Sequence, residues 1–221
     1  AITNPTRFGD PTATSELTLD ISNNNLYGDA YRMDDSTGGD DTLSVATNFK
    51  IDKTGNGNNQ TSITISDNNL YGDAYFMHDS KGGDDTLTGS DLVGSSTYMY
   101  GDASHALYSF VGGNDRLISG LGNDYMVGDF VDITSLGELV VYGEYTFVFS
   151  ANNGKDVIFD FNDGKDTIEL SGIAGVTKFS DLSTKISTSG SDSVITFDAN
   201  NTITLIGIAT TQLTADDFSF A

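Results

Sequence analysis

The residues best suited to chemistry in this chain are aspartates set beside glycines. Gly28-Asp29-Ala30, Gly72-Asp73-Ala74, Gly101-Asp102-Ala103 and Gly128-Asp129 form one series. Gly39-Asp40-Asp41, Gly83-Asp84-Asp85 and Gly113-Asn114-Asp115 form a second, followed by Thr42-Leu43, Thr86-Leu87 and Arg116-Leu117. A carboxylate next to a residue without Cβ suits a hard divalent cation. Ca²⁺ takes about six to eight oxygens in flexible geometry, and glycine lets backbone carbonyls converge. Asp41, Asp85, Asp115, Asp124 and Asp156 are the expected carboxylate ligands, with Gly39, Gly83, Gly113 and Gly122 in the same turns. Asp29, Asp73, Asp102, Asp129 and Asp166 are further candidates, because an aspartate in a turn also bonds its own backbone.

Acid–base chemistry has less to draw on. His78 and His105 are the two histidines, they do not stand at a metal-pair spacing, and no Ser-His-Asp order or phosphate-cradling loop is present. Both read as exposed polar residues, so a non-catalytic role is the first expectation. Tyr31, Arg32, Tyr75 and Tyr108 nevertheless fall in the same inserted segments as these histidines. Such a cluster beside bound Ca²⁺ would suit proton abstraction from a sugar acid, as a calcium-dependent lyase or isomerase requires.

The elements that must position these residues come from a repeat. Ile21–Leu43 (ISNNNLYGDAYRMDDSTGGDDTL) recurs as Ile65–Leu87 (ISDNNLYGDAYFMHDSKGGDDTL), 44 residues on. A looser copy is Met99–Leu117, followed by Gly120–Asp129 and Asn153–Leu170. Short runs such as Ile63-Thr64-Ile65 alternate in the strand manner, helical periodicity is absent, and Gly and Asn punctuate the chain. This reads as an all-β chain of short strands and recurring turns. An ordinary β-sandwich would have no reason to repeat one Gly-Asp turn four times.

On these motifs the chain resembles the RTX (repeats-in-toxin) proteins, whose nonapeptide Gly-Gly-x-Gly-x-Asp-x-hydrophobic-x binds Ca²⁺ in a parallel β-roll. The resemblance spans about Leu26 to Ala221, and its best match is Ser119–Val127 (SGLGNDYMV), with Asp124 in the carboxylate position. It implies turns that share each ion with the neighbouring turn, secretion, and Ca²⁺ as the cofactor. The other turns fit only if each carries an inserted loop: Tyr31–Gly38, Tyr75–Gly82 and Ser104–Gly112. Gly128-Asp129 opens a fourth insert, expected to close at Gly154-Lys155-Asp156. Thr54–Asn59, Gly89–Ser96 and Gly120–Asp124 read as turns on the opposite edge, so all four inserts would stack along one edge. Asp35 and Asp79, within the inserts, could add carboxylates to the sites.

Asp160–Asp166 (DFNDGKD) approaches an EF-hand loop, but its glycine comes one residue early and no flanking helices are expected. It reads as the last of the RTX-like turns. From Val157 onward the pattern changes to alternating strands ending in TADDFSFA, similar to the end module of RTX proteins exported by type I machinery. The expected organisation is a roll over 1–156 and an antiparallel capping and secretion module over 157–221, in one continuous body. A cap has a physical reason, since the last coil of a roll exposes unpaired backbone and apolar surface.

Charge and composition agree with cation binding. Ten basic against 32 acidic residues leave a net charge of −22, a field that repels nucleic acid and anionic membrane surfaces. The chain is 37% hydrophobic with 13 Phe and 10 Tyr, too apolar for a solvated acidic tail. No cysteine is present, so disulfides and thiolate sites are excluded and a metal is the natural alternative stabiliser. No stretch has the length of a membrane span, and 1–16 shows no basic-then-apolar leader. A carbohydrate or other small-molecule ligand, held by the aromatic inserts, is the remaining expected partner.

Overall fold

The computed structural model describes residues 17–20, 22–45, 61–130 and 132–221. The expected turn Thr54–Asn59 and the first 16 residues lie outside them. The fold is all-β, a stack of coils in which equivalent strands of successive coils pair in parallel.

Two sheets enclose the main core. In the first, Asn25–Tyr27, Asn68–Tyr71, Ser96–Tyr100, Asn123–Val127, Lys155–Ile158 and Thr202–Leu205 run parallel, one strand per coil. In the second, Thr42–Ser44, Thr86–Thr88, Arg116–Ile118, Thr146–Ser150, Thr167–Ser171 and Phe218–Phe220 do the same. The in-register pairing places identical sequence positions on top of one another. Leu43, Leu87, Leu117, Phe147, Ile168 and Phe218 thus form one buried file. Leu26, Leu70, Met99, Met126, Ile158 and Leu205 form the file that faces it. Each such side chain stabilises the stack by roughly 1.5–3 kcal/mol through burial. The period-2 alternation of Ser96–Tyr100, with Thr97 and Met99 inward, is the local rule that makes this work.

The inserts are not loops. Ala30–Asp34, Ala74–Lys81, Ala103–Val111 and Asp132–Val141 pair in parallel as a third sheet, between the first and the second sheet in each coil. This sheet has its own small core of Met33, Ala74, Met77, Ala103, Ala106 and Phe110. The inserts therefore do stack side by side along one edge, as their spacing suggested, with Tyr31 stacked on Tyr75 at 5.4 Å. Their strands bend where Asp35, Asp79 and Tyr108 adopt left-handed backbone (φ 48°, 47° and 63°). The fourth insert closes early, at Gly143-Glu144-Tyr145, because Thr146 pairs with Arg116 as the next strand of the second sheet. The expected closure at Gly154–Asp156 is wrong. Asp156 lies in Lys155–Ile158, a strand of the first sheet, one coil beyond Asp124 on the opposite edge.

The C-terminal segment closes the stack. Ile186–Ser189 and Asp192–Thr196 form a hairpin whose second strand pairs antiparallel with Thr202–Leu205, ending the first sheet. Val176, Leu182, Ile195, Ile208 and Leu213 extend the main core over its end. The final Phe218–Phe220 is a parallel strand of the second sheet, set by a capping box between Thr214 and Asp217.

Candidate metal centre

The two edges where the main sheets meet hold the aspartates. On the insert-bearing edge, Asp41, Asp85 and Asp115 stack in one file. The Asp41 amide donates to Asp85 Oδ1 at 2.6 Å, and the Asp85 amide donates to Asp115 Oδ1 at 2.8 Å. One carboxylate oxygen is therefore tied to the coil before it. The other, Oδ2 of both Asp85 and Asp115, is buried without a hydrogen-bond partner.

Those free oxygens face carbonyls. A Cβ on Gly28 would collide with Asp41 Oδ2 and the Gly72 carbonyl oxygen; on Gly72, with Asp85 Oδ2 and the Gly101 carbonyl; on Gly101, with Asp115 Oδ2 and the Gly128 carbonyl. Glycine is required here for close approach and not for a left-handed backbone, since none of these three has a positive φ. Each cradle thus holds a carboxylate oxygen and a carbonyl oxygen side by side.

The second aspartate series latches the base of each insert. Asp29 accepts the Gly39 N–H at 2.8 Å, Asp73 the Gly83 N–H at 3.2 Å and Asp102 the Gly113 N–H at 3.0 Å. These bonds reach across the insert, ten or eleven residues along the chain. Gly82 packs between Asp73 and Asp102, and Gly112 between Asp102 and Asp129, so this series also forms a continuous file.

On the opposite edge, Asp124 accepts the Gly120 N–H through Oδ2 at 2.9 Å, while its Oδ1 is unpartnered. Asp156 accepts the Asp124 amide at 2.9 Å, together with Ser119 Oγ and Asn153 Nδ2. A Cβ on Gly89 would meet the Asp124 carboxylate. Gly122 lies against Ser95. Asp166 accepts the Tyr145 and Asn162 amides, and Asp160, which the sequence marks only as a turn residue, accepts those of Gly128 and Asp129.

Burial sets the electrostatics. It pushes Asp85 up to about 7 and Asp124 up to about 6. Burial together with Asp85 pushes Asp73 up to about 8. Asp115 is pushed up to about 9, against the bond it accepts from the Asp85 amide. Asp102, with Asp115 and Asp129 beside it, and Asp156, with Asp124, are also raised. Crowded, desolvated carboxylates of this kind are stable as anions only beside a compensating cation. Among the described residues no three His, Cys, Asp or Glu side chains converge as a metal site. A cation here would take backbone carbonyls for most of its shell, as hard oxygen-seeking ions do.

The acid–base candidates lie elsewhere. Arg32 forms a two-pronged ion pair with Asp34 on the exposed face of the third sheet. His105 contacts Tyr75 and Phe76 at 5.0 Å, while His78 contacts Tyr108 at 4.8 Å, so the two histidines serve different ring clusters. Asp79 accepts the Ser109 N–H at the strand bend, and its other oxygen is 3.4 Å from His78 Nδ1 without hydrogen-bond alignment. Asp35 is exposed at the equivalent bend of the first insert. The expectation that Asp35 and Asp79 supplement the turn carboxylates is therefore corrected: both serve the third-sheet bend.

Residues 32–221, which carry the stacked Gly-Asp turns, match the family described as "Peptidase M10 serralysin C terminal". The chain belongs to that family. Among solved structures, this serralysin C-terminal domain is similar to the extracellular lipase LipA from Serratia marcescens, at 13% identity and a TM-score of 0.36. That similarity covers 95% of this chain and 40% of the lipase, so the domain spans well under half of that protein. No curated protein matches it. The RTX repeat module is the part of the family that these turns represent, and the residues present fit Ca²⁺. The fit rests on the unpartnered buried oxygens of Asp85, Asp115 and Asp124 and on the glycine cradles.

Proposed function

We propose that this domain is a secreted RTX-type module that binds several Ca²⁺ ions in its stacked turns and completes its folding on meeting calcium outside the cell. The observation that carries the reading is the file Asp41–Asp85–Asp115. Each coil fixes one carboxylate oxygen of the next and leaves the other beside a glycine carbonyl. Asp29, Asp73, Asp102, Asp129, Asp124, Asp156 and Asp166, with the carbonyls of Gly39, Gly83, Gly113 and Gly122, complete the proposed ligand set.

When bound, calcium supplies positive charge that offsets the mutual repulsion of these carboxylates and so couples ion binding to folding. Cytosolic calcium is scarce, so the chain would stay export-competent until it left through type I machinery. The roll over 1–156 and the cap over 157–221 would act as one body, consistent with the main core that runs from Leu43 to Phe218. At pH 7.5, far-ultraviolet circular dichroism in chelator and then in millimolar Ca²⁺ should show coil converting to β-structure. The same β spectrum in both conditions would exclude calcium as the folding switch.

A carbohydrate-binding role finds less support. Tyr27, Tyr71 and Tyr100 stack face to face at 5.1 and 4.9 Å, and Tyr98 on Tyr125 at 4.7 Å. The ring faces on which a sugar would lie are mostly spent on one another.

A further inference from the structure

One position in the insert-bearing edge departs from the repeat. The pairing of Thr42, Thr86, Arg116, Thr146 and Thr167 puts the residues before them in one file: Asp41, Asp85, Asp115, Tyr145 and Asp166. Tyr145 stands where the repeat demands an aspartate. In the first three coils a Cβ on the opening glycine would strike a carboxylate oxygen and a carbonyl oxygen. In the fourth, a Cβ on Gly128 would strike the Tyr145 ring.

The phenol also takes over the latch. The Gly143 N–H donates to the Tyr145 hydroxyl at 2.7 Å, where Gly39, Gly83 and Gly113 donate to Asp29, Asp73 and Asp102. Asp129, the equivalent aspartate, is buried with neither oxygen in an aligned hydrogen bond, while the Tyr145 hydroxyl and the Gly143 N–H lie beside it. The ring itself is buried and packs edge-on against Phe147 at 6.2 Å. Below it the amide-to-carboxylate relay resumes, with the Tyr145 N–H donating to Asp166 Oδ1 at 3.1 Å.

We propose that Tyr145 is a built-in plug that fills the fourth cation position and ends the run of cation positions on this edge. The run comprises the cradles of Gly28, Gly72 and Gly101; beyond the plug, all four carboxylate oxygens of Asp160 and Asp166 already accept backbone amides. A ring carbon offers no lone pair, and the single hydroxyl is already engaged. The position therefore lacks the converging oxygens a divalent ion needs, and the ring supplies apolar packing in the ion's place. The inference rests on the calcium reading above and concerns only how many ions this edge takes.

The test is the calcium content of the full chain, measured by elemental analysis after equilibrium dialysis, with circular dichroism as the control for folding. Tyr145→Asp restores the repeat and should bind one more ion than the wild type. Tyr145→Phe keeps the ring and should bind the same number. Asp115→Tyr moves the plug one coil up and should bind at least one ion fewer, which keeps the idea testable if Tyr145→Asp misfolds. A folded Tyr145→Asp with the wild-type content, a gain in Tyr145→Phe, or no loss in Asp115→Tyr would each overturn the plug while leaving calcium binding intact. A wild-type chain that holds no calcium would instead overturn the calcium reading, and the plug with it.

Discussion

Replacing Asp115 with asparagine should have opposite consequences in the two states of the protein. Asp115 is 2% exposed, its Oδ1 accepts the Asp85 amide at 2.8 Å, and its Oδ2 has no hydrogen-bond partner. Asparagine keeps the shape and the carbonyl that the Asp85 amide needs, and places an NH₂ where Oδ2 lies, close to the Gly128 carbonyl. Without calcium at pH 5.5, Asp115 is protonated, because burial pushes it up to about 9. A neutral amide then replaces a neutral acid of the same shape, and the change in stability should stay within about 1 kcal/mol, the net contribution of one hydrogen bond. With calcium at pH 7.5 and 100 times its dissociation constant, each ion lost removes about 2.7 kcal/mol by mass action. Asp115→Asn should therefore cost roughly 2.7 kcal/mol, and about twice that if the carboxylate serves the ions on both sides. Urea denaturation followed by circular dichroism, in chelator at the lower pH and in calcium at the higher, measures both. An equal loss in the two conditions would show that Asp115 is an ordinary packing residue, and the cation-ladder reasoning would fail.

Two further outcomes follow from the same geometry. The raised carboxylates mean that the metal-free fold binds more protons than the unfolded chain, whose aspartates titrate near 3.9. Stability in chelator should be greatest below about pH 4 and fall as pH rises through the values near 6, 7, 8 and 9 of Asp124, Asp85, Asp73 and Asp115. Calcium should abolish or reverse that slope, because the ion competes with the proton for the same oxygens; a chelator-insensitive pH profile would contradict this. Leu117→Ala, in the centre of the buried file between Leu87 and Phe147, should cost about 2–5 kcal/mol with calcium saturating, read as a lowered urea midpoint.

The sequence alone carried the repeat, and with it most of the fold. A 44-residue offset with Gly-Asp turns at fixed places shows recurring short strands and turns, and the resemblance to RTX proteins that those turns carry implies the parallel roll. The side-by-side placement of the inserts followed from that same spacing, as did the equivalence of Asp41, Asp85 and Asp115 in successive turns. Tertiary structure decided the rest. The inserts look like loops because Tyr31–Gly38 lacks a strand's apolar alternation, but pairing with the neighbouring coils supplies hydrogen bonds that one copy cannot make for itself. Asp156 was placed on the wrong edge because the fourth insert ends on Tyr145 instead of an aspartate, so the motif that marks closure is missing. Tyr145 itself carried no signal in the sequence, being one tyrosine among ten. Its meaning lies in a register that pairs Thr146 with Arg116, and register is a property of neighbouring strands. That is why the sequence could say which residues recur along the chain, while only the packed coils could say which recurrence is broken.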